Sequence, residues 1–254
     1  MIDLPYRLDR TVTIQAAPET VFRFFTDTAR WANWWGAGSA IEARPGGAVK
    51  IRFPNGIEVA GEVLELRSPE QIVFTYGYPS GQPIPPDGSR VTIRLETAGA
   101  GTRLHLVHEF ADAAVRDQFV QAWRFQLSLF GNAVANEIHA DAAGVVDAFF
   151  GLWSEAEEPA RAQALSRLAA PAVRFSDQYS MLEGIEDLTA HIGAFQRFMG
   201  IRLERKGDVR HCQGKVLADW VALANDGQQR ATGTNVFLLG AEGRIDSVTG
   251  FWNR

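Results

Sequence analysis

VRDQFVQAWRFQLSLFGNAVANEI, residues 115–138, carries Val115, Phe119, Trp123, Leu127, Phe130, Val134 and Ile138 at steps of three and four. With about 3.6 residues per turn, that spacing returns each side chain to one helical face. The segment therefore predicts one long helix with an unbroken apolar stripe. A stripe of that length needs a broad apolar surface to cover it.

The residues before it supply such a surface. In AVKIRF (48–53), Val49, Ile51 and Phe53 share one face, and Lys50 and Arg52 the other. QIVFTYGY (71–78), RVTIRLE (90–96) and TRLHLVHEF (102–110) repeat the strand pattern. They are punctuated by PNG, SPE, PSGQPIPPDGS and AGAG, so the expectation is a run of antiparallel strands. His105 and His108 lie three apart on one strand and point to opposite faces, so they cannot share a metal ion. His108 has the parity of Leu104 and Leu106 and is expected to face inward.

Further upstream, TVTIQA reads as a strand, and APETVFRFFTDTARWANWW begins with Pro18 and Glu19, which suit a helix start. Trp31, Trp34 and Trp35 crowd the end of that segment. Two roles fit them: a hydrophobic plug closing one end of a domain, or the wall of a pocket for an apolar ligand. Strand, two short helices, a strand meander and a long closing helix resemble the Bet v 1-like helix-grip fold of the START/SRPBCC superfamily. Within it, the tryptophan-rich segment before Gly36 and the helix QAWRFQLSLFGNAV resemble activator-of-heat-shock-protein-90-ATPase homologues. The resemblance implies that the tryptophan segment sits at the mouth of a cavity between sheet and helix. Trp31, Trp34, Trp35, Tyr76, His108 and Trp123 are the expected ligand-binding residues, with a satisfied core histidine as the other reading of His108.

EIHADAAG marks a change of composition and gives the expected domains as 1–140 and 141–254. The second half opens with two helical segments, VVDAFFGLWSE and PARAQALSRLA. A short strand, AVRFSD, and a helix, GIEDLTAHIGAFQRFM, follow. Four strands close the chain: IRLERKGDVRHCQ, KVLADWVALAN, QQRATGTNVFLL and RIDSVTGFW, with NDG and GAEG as hairpin turns. Helices followed by a bent antiparallel sheet, ending in GRIDSVTGFW, resemble SnoaL-like polyketide cyclases of the nuclear-transport-factor-2-like superfamily. The fold class expected is α+β in two domains, a helix-grip domain and then a cone-shaped α+β barrel.

Ketosteroid isomerases share the second fold, and the resemblance carries over by position. Their catalytic base ends the first strand, where this chain has Asp177. Their second carboxyl group aligns, through the GRI turn, with Asn235. Their oxyanion tyrosine falls at Phe149 or Phe150, which have no hydroxyl. An Asp-based proton transfer with an Asn donor remains available. Asp219 shares parity with Leu217, Val221 and Leu223, so it is read either as a pocket carboxylate or as the partner of His211 or an arginine. Trp220 then falls on the other face with Val216, Ala218 and Ala222, expected to be the outer one and to need a cover from the first domain or a second copy. The candidate site is Asp177, Asp219 and Asn235 as catalytic groups, with Tyr179 and Trp252 as ligand-binding residues.

A net charge of −5, spread over both halves, argues against a nucleic-acid surface. Cys212 is the only cysteine, which excludes an internal disulfide and a multi-cysteine metal site. The P-loop, GxGxxG, GxSxG and HExxH patterns are absent, so no metal or cofactor is expected. MIDLPYRLDR lacks the apolar run of a signal peptide, and no stretch is long enough to span a membrane, so the expected location is cytoplasmic. The leading expectation is binding of a small hydrophobic molecule, polyketide- or lipid-like, in internal cavities. The alternatives are a cofactor-independent isomerase, cyclase or hydrolase using Asp177 as general base, and a chaperone-associated interaction module.

Overall fold

The structure, a computed structural model, describes residues 3–253. The chain divides into two compact units, Met1–Val134 and Ala135–Arg254. The architecture is mixed α+β, with one sheet in each unit.

The first unit starts with β1 (Tyr6–Ile14), α1 (Pro18–Arg23) and α2 (Thr28–Trp35). The strands β2 (Ala40–Ile41), β3 (Ala48–Arg52), β4 (Glu58–Arg67), β5 (Gln71–Thr75), β6 (Ser89–Ala98) and β7 (Gly101–Phe110) follow. They form one sheet in the order β1-β7-β6-β5-β4-β3-β2, antiparallel at every step. Helix α3 (Ala113–Ile138) comes next, and the division between the units falls within it. Pro18 starts α1 at the position where its missing N–H has no intrahelical role. Asp27 caps α2 by accepting from the Arg30 backbone N–H at 2.9 Å.

The stripe on α3 is the core-facing one: Phe119, Trp123, Leu127, Phe130 and Val134 are buried, whereas Phe125 is 65% exposed. Phe130 stacks on Phe25 at 4.9 Å and meets Phe24 and Trp34 edge-on. The helix and the α1–α2 segment thus share one aromatic core.

The second unit begins with α4 (Ala142–Gly151), a 3-10 turn (Leu152–Ser154) and α5 (Glu158–Leu168). Then come β8 (Ala169–Ser176), β9 (Met181–Glu183), α6 (Ile185–Met199), β10 (Ile201–Cys212), β11 (Lys215–Ala224), β12 (Gln229–Leu239) and β13 (Ile245–Trp252). The sheet order is β10-β11-β12-β13-β8-β9, with β13 and β8 parallel and the other pairs antiparallel. Phe149, Phe150, Phe237, Val216 and Val248 form its core under the helices.

Arg161, on α5, is buried and fixes α6. Its guanidinium donates to the carbonyl oxygens of Thr189 (3.1 Å) and Glu155 (2.6 Å) and to Gln196 Oε1 (3.1 Å). It lies against Gly193, where any side chain would collide with it. A cation this deep is tolerated because neutral oxygens satisfy its donors.

The faces of β11 are the reverse of the expected ones. Val216, Ala218, Trp220 and Ala222 point into the core, while Leu217, Asp219 and Val221 lie half-buried on the outer face. Both sets are apolar, so alternation alone does not choose between them. The partner strand decides. Trp220 pairs with Gly233, whose bare Cα leaves room for the indole, and a Cβ there would overlap the ring.

Candidate functional site

Six residues were expected around a ligand in the first unit, and they form one continuous chain of rings. Trp31 meets Trp34 and Trp35, and Trp35 meets Trp123 at 5.7 Å. Trp123 meets His108, and His108 meets Tyr76 at 5.2 Å. All six are at most 4% exposed. Trp31 Nε1 donates to the Lys50 carbonyl at 3.1 Å and Trp34 Nε1 to the Phe24 carbonyl at 3.3 Å. Trp35 Nε1 is buried with no partner among the described residues. The packing has the character of a plug, in which each ring supports the next.

His108 is committed to protein partners. Trp123 Nε1 donates to His108 Nδ1 at 2.9 Å, so that nitrogen carries the lone pair. The proton of the neutral ring therefore sits on Nε2, which donates to Ser89 Oγ at 2.8 Å. The Ser89 hydroxyl passes its own proton to the Tyr76 carbonyl at 2.6 Å. Burial pushes the His108 pKa well below 6.5, and it raises that of the Tyr76 phenol well above 10. Both ring nitrogens of His108 are thus engaged within the protein, the arrangement of a satisfied core histidine.

In the second unit, a cavity of about 370 Å³ lies between the sheet and α6. Its walls are mainly aromatic: Trp153, Phe175, Phe195, Trp220 and Trp252. Asp177, immediately after β8, and Asn235, on β12, both line it. Asp177 Oδ2 accepts from Trp252 Nε1 at 3.1 Å and Oδ1 from the Tyr179 backbone N–H at 2.8 Å. Two donors thus hold the carboxylate in one orientation.

Asn235 is likewise locked. Its Oδ1 accepts from Trp220 Nε1 at 2.9 Å, which leaves the Nδ2 amino group as the part of the amide free to donate elsewhere. Gly250 pairs with Asn235 across β12 and β13. A Cβ at Gly250 would stand 3.2 Å from Asn235 Oδ1 and 3.3 Å from Asp177 Cβ. The missing side chain keeps open the space between Asp177 and Asn235. Tyr179 is 75% exposed at the mouth and meets Trp252 edge-on at 5.6 Å.

Asp219 does not join them, which corrects its expected catalytic place. It faces outward with its side chain 48% exposed, accepts from Thr234 Oγ1 at 2.5 Å and lies 3.9 Å from Arg210. Of the two roles weighed for it, partnership on the sheet surface is the one observed. Trp220, placed outside by the parity argument, is instead part of the cavity wall.

Two polar lining residues, His191 and Ser180, went unrecognised in the sequence. His191, on α6, enters the cavity between Phe175 (5.6 Å) and Trp153 (5.9 Å). Burial lowers its pKa below 6.5, and the nearby Asp177 carboxylate opposes that shift. The available signal was its position in LTAHIGAF, four residues before the cavity-lining Phe195. Among the described residues there is no group of three or more His, Cys, Asp or Glu arranged to hold a metal ion. No helix among them is long and apolar enough to cross a membrane.

Comparison with known proteins finds a family match in the first unit. Residues 15–134 match the family described as Activator of Hsp90 ATPase homolog 1-like protein. The match spans just under half of the chain and lies within the helix-grip unit. Comparison with curated proteins found no match. Among solved structures, the chain is similar to a putative isomerase of the SnoaL-like family from Agrobacterium tumefaciens. The two are 28% identical over 46% of this chain and 99% of that one, with a TM-score of 0.43. It is also similar to CalU16 from Micromonospora echinospora, with 22% identity over 52% and 78% of the two chains and a TM-score of 0.43. A third is the Aha1 dimer from Colwellia psychrerythraea, with 18% identity over 51% and 96% and a TM-score of 0.44.

Proposed function

We propose that the second unit binds a small, flat, apolar molecule bearing a carbonyl oxygen, and that Asp177 acts on it as a general base. The observation that carries this is the Asp177–Gly250–Asn235 arrangement: a fixed carboxylate and a donor-only amide flank a gap in an otherwise aromatic cavity. In the step proposed, a C–H bond next to the carbonyl breaks and an O–H bond forms on Asp177. The electron pair moves onto the carbonyl oxygen, where Asn235 Nδ2 donates to the developing charge. Return of the proton to the same or another carbon completes an exchange or an isomerisation without any cofactor.

Phe149 and Phe150 are buried in the core and supply no second donor. Losing one oxyanion donor costs roughly 10²–10³ in rate, so turnover is expected to be slow. The test uses 2-tetralone, a bicyclic ring ketone, in deuterium oxide with exchange followed by NMR. The protein is expected to accelerate exchange, and Asp177→Asn to lower the rate on the order of 100-fold or more. Full activity in Asp177→Asn removes Asp177 as the base. Binding without any exchange leaves a ligand-binding unit alone.

We also propose pairing with a second copy through the outer face of this sheet. Leu217, Val221 and Val236 lie there half-buried, and Phe251 is 55% exposed. The support is a strip of apolar side chains on adjacent strands, with Leu217 directly opposite Val236.

A further inference from the structure

Beyond Asp177 and Asn235, the polar residues lining the cavity are Tyr179, Ser180 and His191. His191 lines the cavity, yet neither ring nitrogen has a hydrogen-bond partner among the described residues. His108 shows the contrast, because each of its nitrogens is engaged. The ring of His191 is held by packing alone, tilted on Phe175 at 5.6 Å and edge-on to Trp153 at 5.9 Å. Its helix is fixed in turn by Arg161, which grips the Thr189 carbonyl and Gln196 on either side of it. A side chain this well positioned with its polar atoms unengaged is arranged for something that enters.

Phe175 lies on β8 and Asp177 immediately after it, and both line the cavity together with His191. The carboxylate lies beside Trp252 and the exposed Tyr179. The imidazole, tilted on Phe175, is a separate polar group in the same mainly aromatic wall.

We propose that His191 is a ligand-contacting, specificity-determining residue, and that the preferred ligand is a flat ring system with two oxygen functions. One oxygen meets Asp177 and Asn235, and the other meets His191. This inference rests on the reading of the cavity as a ligand site. At neutral pH the imidazole is uncharged, because burial outweighs the pull of Asp177. It therefore offers one N–H donor and one lone pair, and serves a hydroxyl or a carbonyl equally well.

The test compares two probes by titration calorimetry: 2-naphthol, with one hydroxyl, and naphthalene-2,7-diol, with one at each end. An added hydrogen bond to a half-buried neutral partner is worth about a three- to tenfold gain in affinity. The wild-type protein is expected to favour the diol by that factor. In His191→Phe the ratio of diol to 2-naphthol affinity falls to about one, whatever change the two probes share, and in His191→Gln, which keeps a donor and an acceptor, the preference is retained. Thermal unfolding of both variants reports whether the fold is intact. A diol preference that survives in His191→Phe, or an equal loss for both probes in a folded His191→Phe protein, overturns the role of His191. Binding of neither probe by the wild type overturns the ligand site itself, which is a different result from binding without the preference.

Discussion

The His108 imidazole is fully enclosed by rings, with Tyr76, Phe110, Phe119 and Trp123 around it, so a proton added to it gains no water and no counter-charge. Its pKa in the fold lies below the unfolded value of 6.5. Above pH 6.5 the ring is neutral in both states and contributes no pH dependence. Below it, the unfolded chain binds the proton first, and stability falls as pH drops toward the folded pKa. The slope from one such group is at most about 1.4 kcal/mol per pH unit. Thermal unfolding between pH 7.5 and 5 is expected to show this loss in the first unit, with a shallower loss in His108→Gln. An unchanged slope in that variant would assign the acid sensitivity to other groups. The inward direction of His108 was legible from its parity with Leu104 and Leu106. Its partners were not, because the Trp123–His108–Ser89 relay joins three different elements, α3, β7 and β6, and only their packing brings these side chains together. Asp177 and Asn235 were likewise named from their positions by resemblance. His191 escaped because a histidine on an apolar helix face looks the same whether it is satisfied or waiting.

Among the elements, α3 was the most legible, since its period is unbroken and a long amphipathic helix admits one buried face. That face is directly testable. Phe130 is fully buried against Phe24, Phe25 and Trp34, whereas Phe125, on the same helix, is 65% exposed. Phe130→Ala is expected to destabilise the first unit by about 3–5 kcal/mol and Phe125→Ala by no more than about 0.5 kcal/mol, read from urea unfolding. Similar values for the two would mean that the stripe does not govern packing. Strand β11 gave the opposite lesson. Asp219 with its leucine and valine neighbours, and Trp220 with valine and alanines, are both plausible inner faces. What selects Trp220 is Gly233 on the next strand and Asn235 beside it, which a single segment cannot reveal. Strand β4 was not read in the sequence, because Gly61 and its glutamates blur the alternation.

At the level of the whole molecule, two units with separate cores carry different kinds of interior. The first commits its tryptophans to packing, and the second lines an open cavity with them. The apolar outer strip of the second sheet bears on assembly. Light scattering is expected to show a dimer, and Val221→Glu, a charge in the middle of that strip, to shift it toward monomer. A monomeric wild-type protein at tens of micromolar would remove the proposed pairing. The cavity wall has one more consequence, and it is optical. Trp220 and Trp252 stand 5.1 Å apart with their rings nearly perpendicular, and their indole N–H groups bind Asn235 and Asp177 respectively. Their excited states are coupled at that range, and each chromophore is anchored to one of the two polar groups at the gap. Whatever occupies the gap will write itself into the near-ultraviolet dichroism of this pair, so the protein carries its own built-in gauge of occupancy.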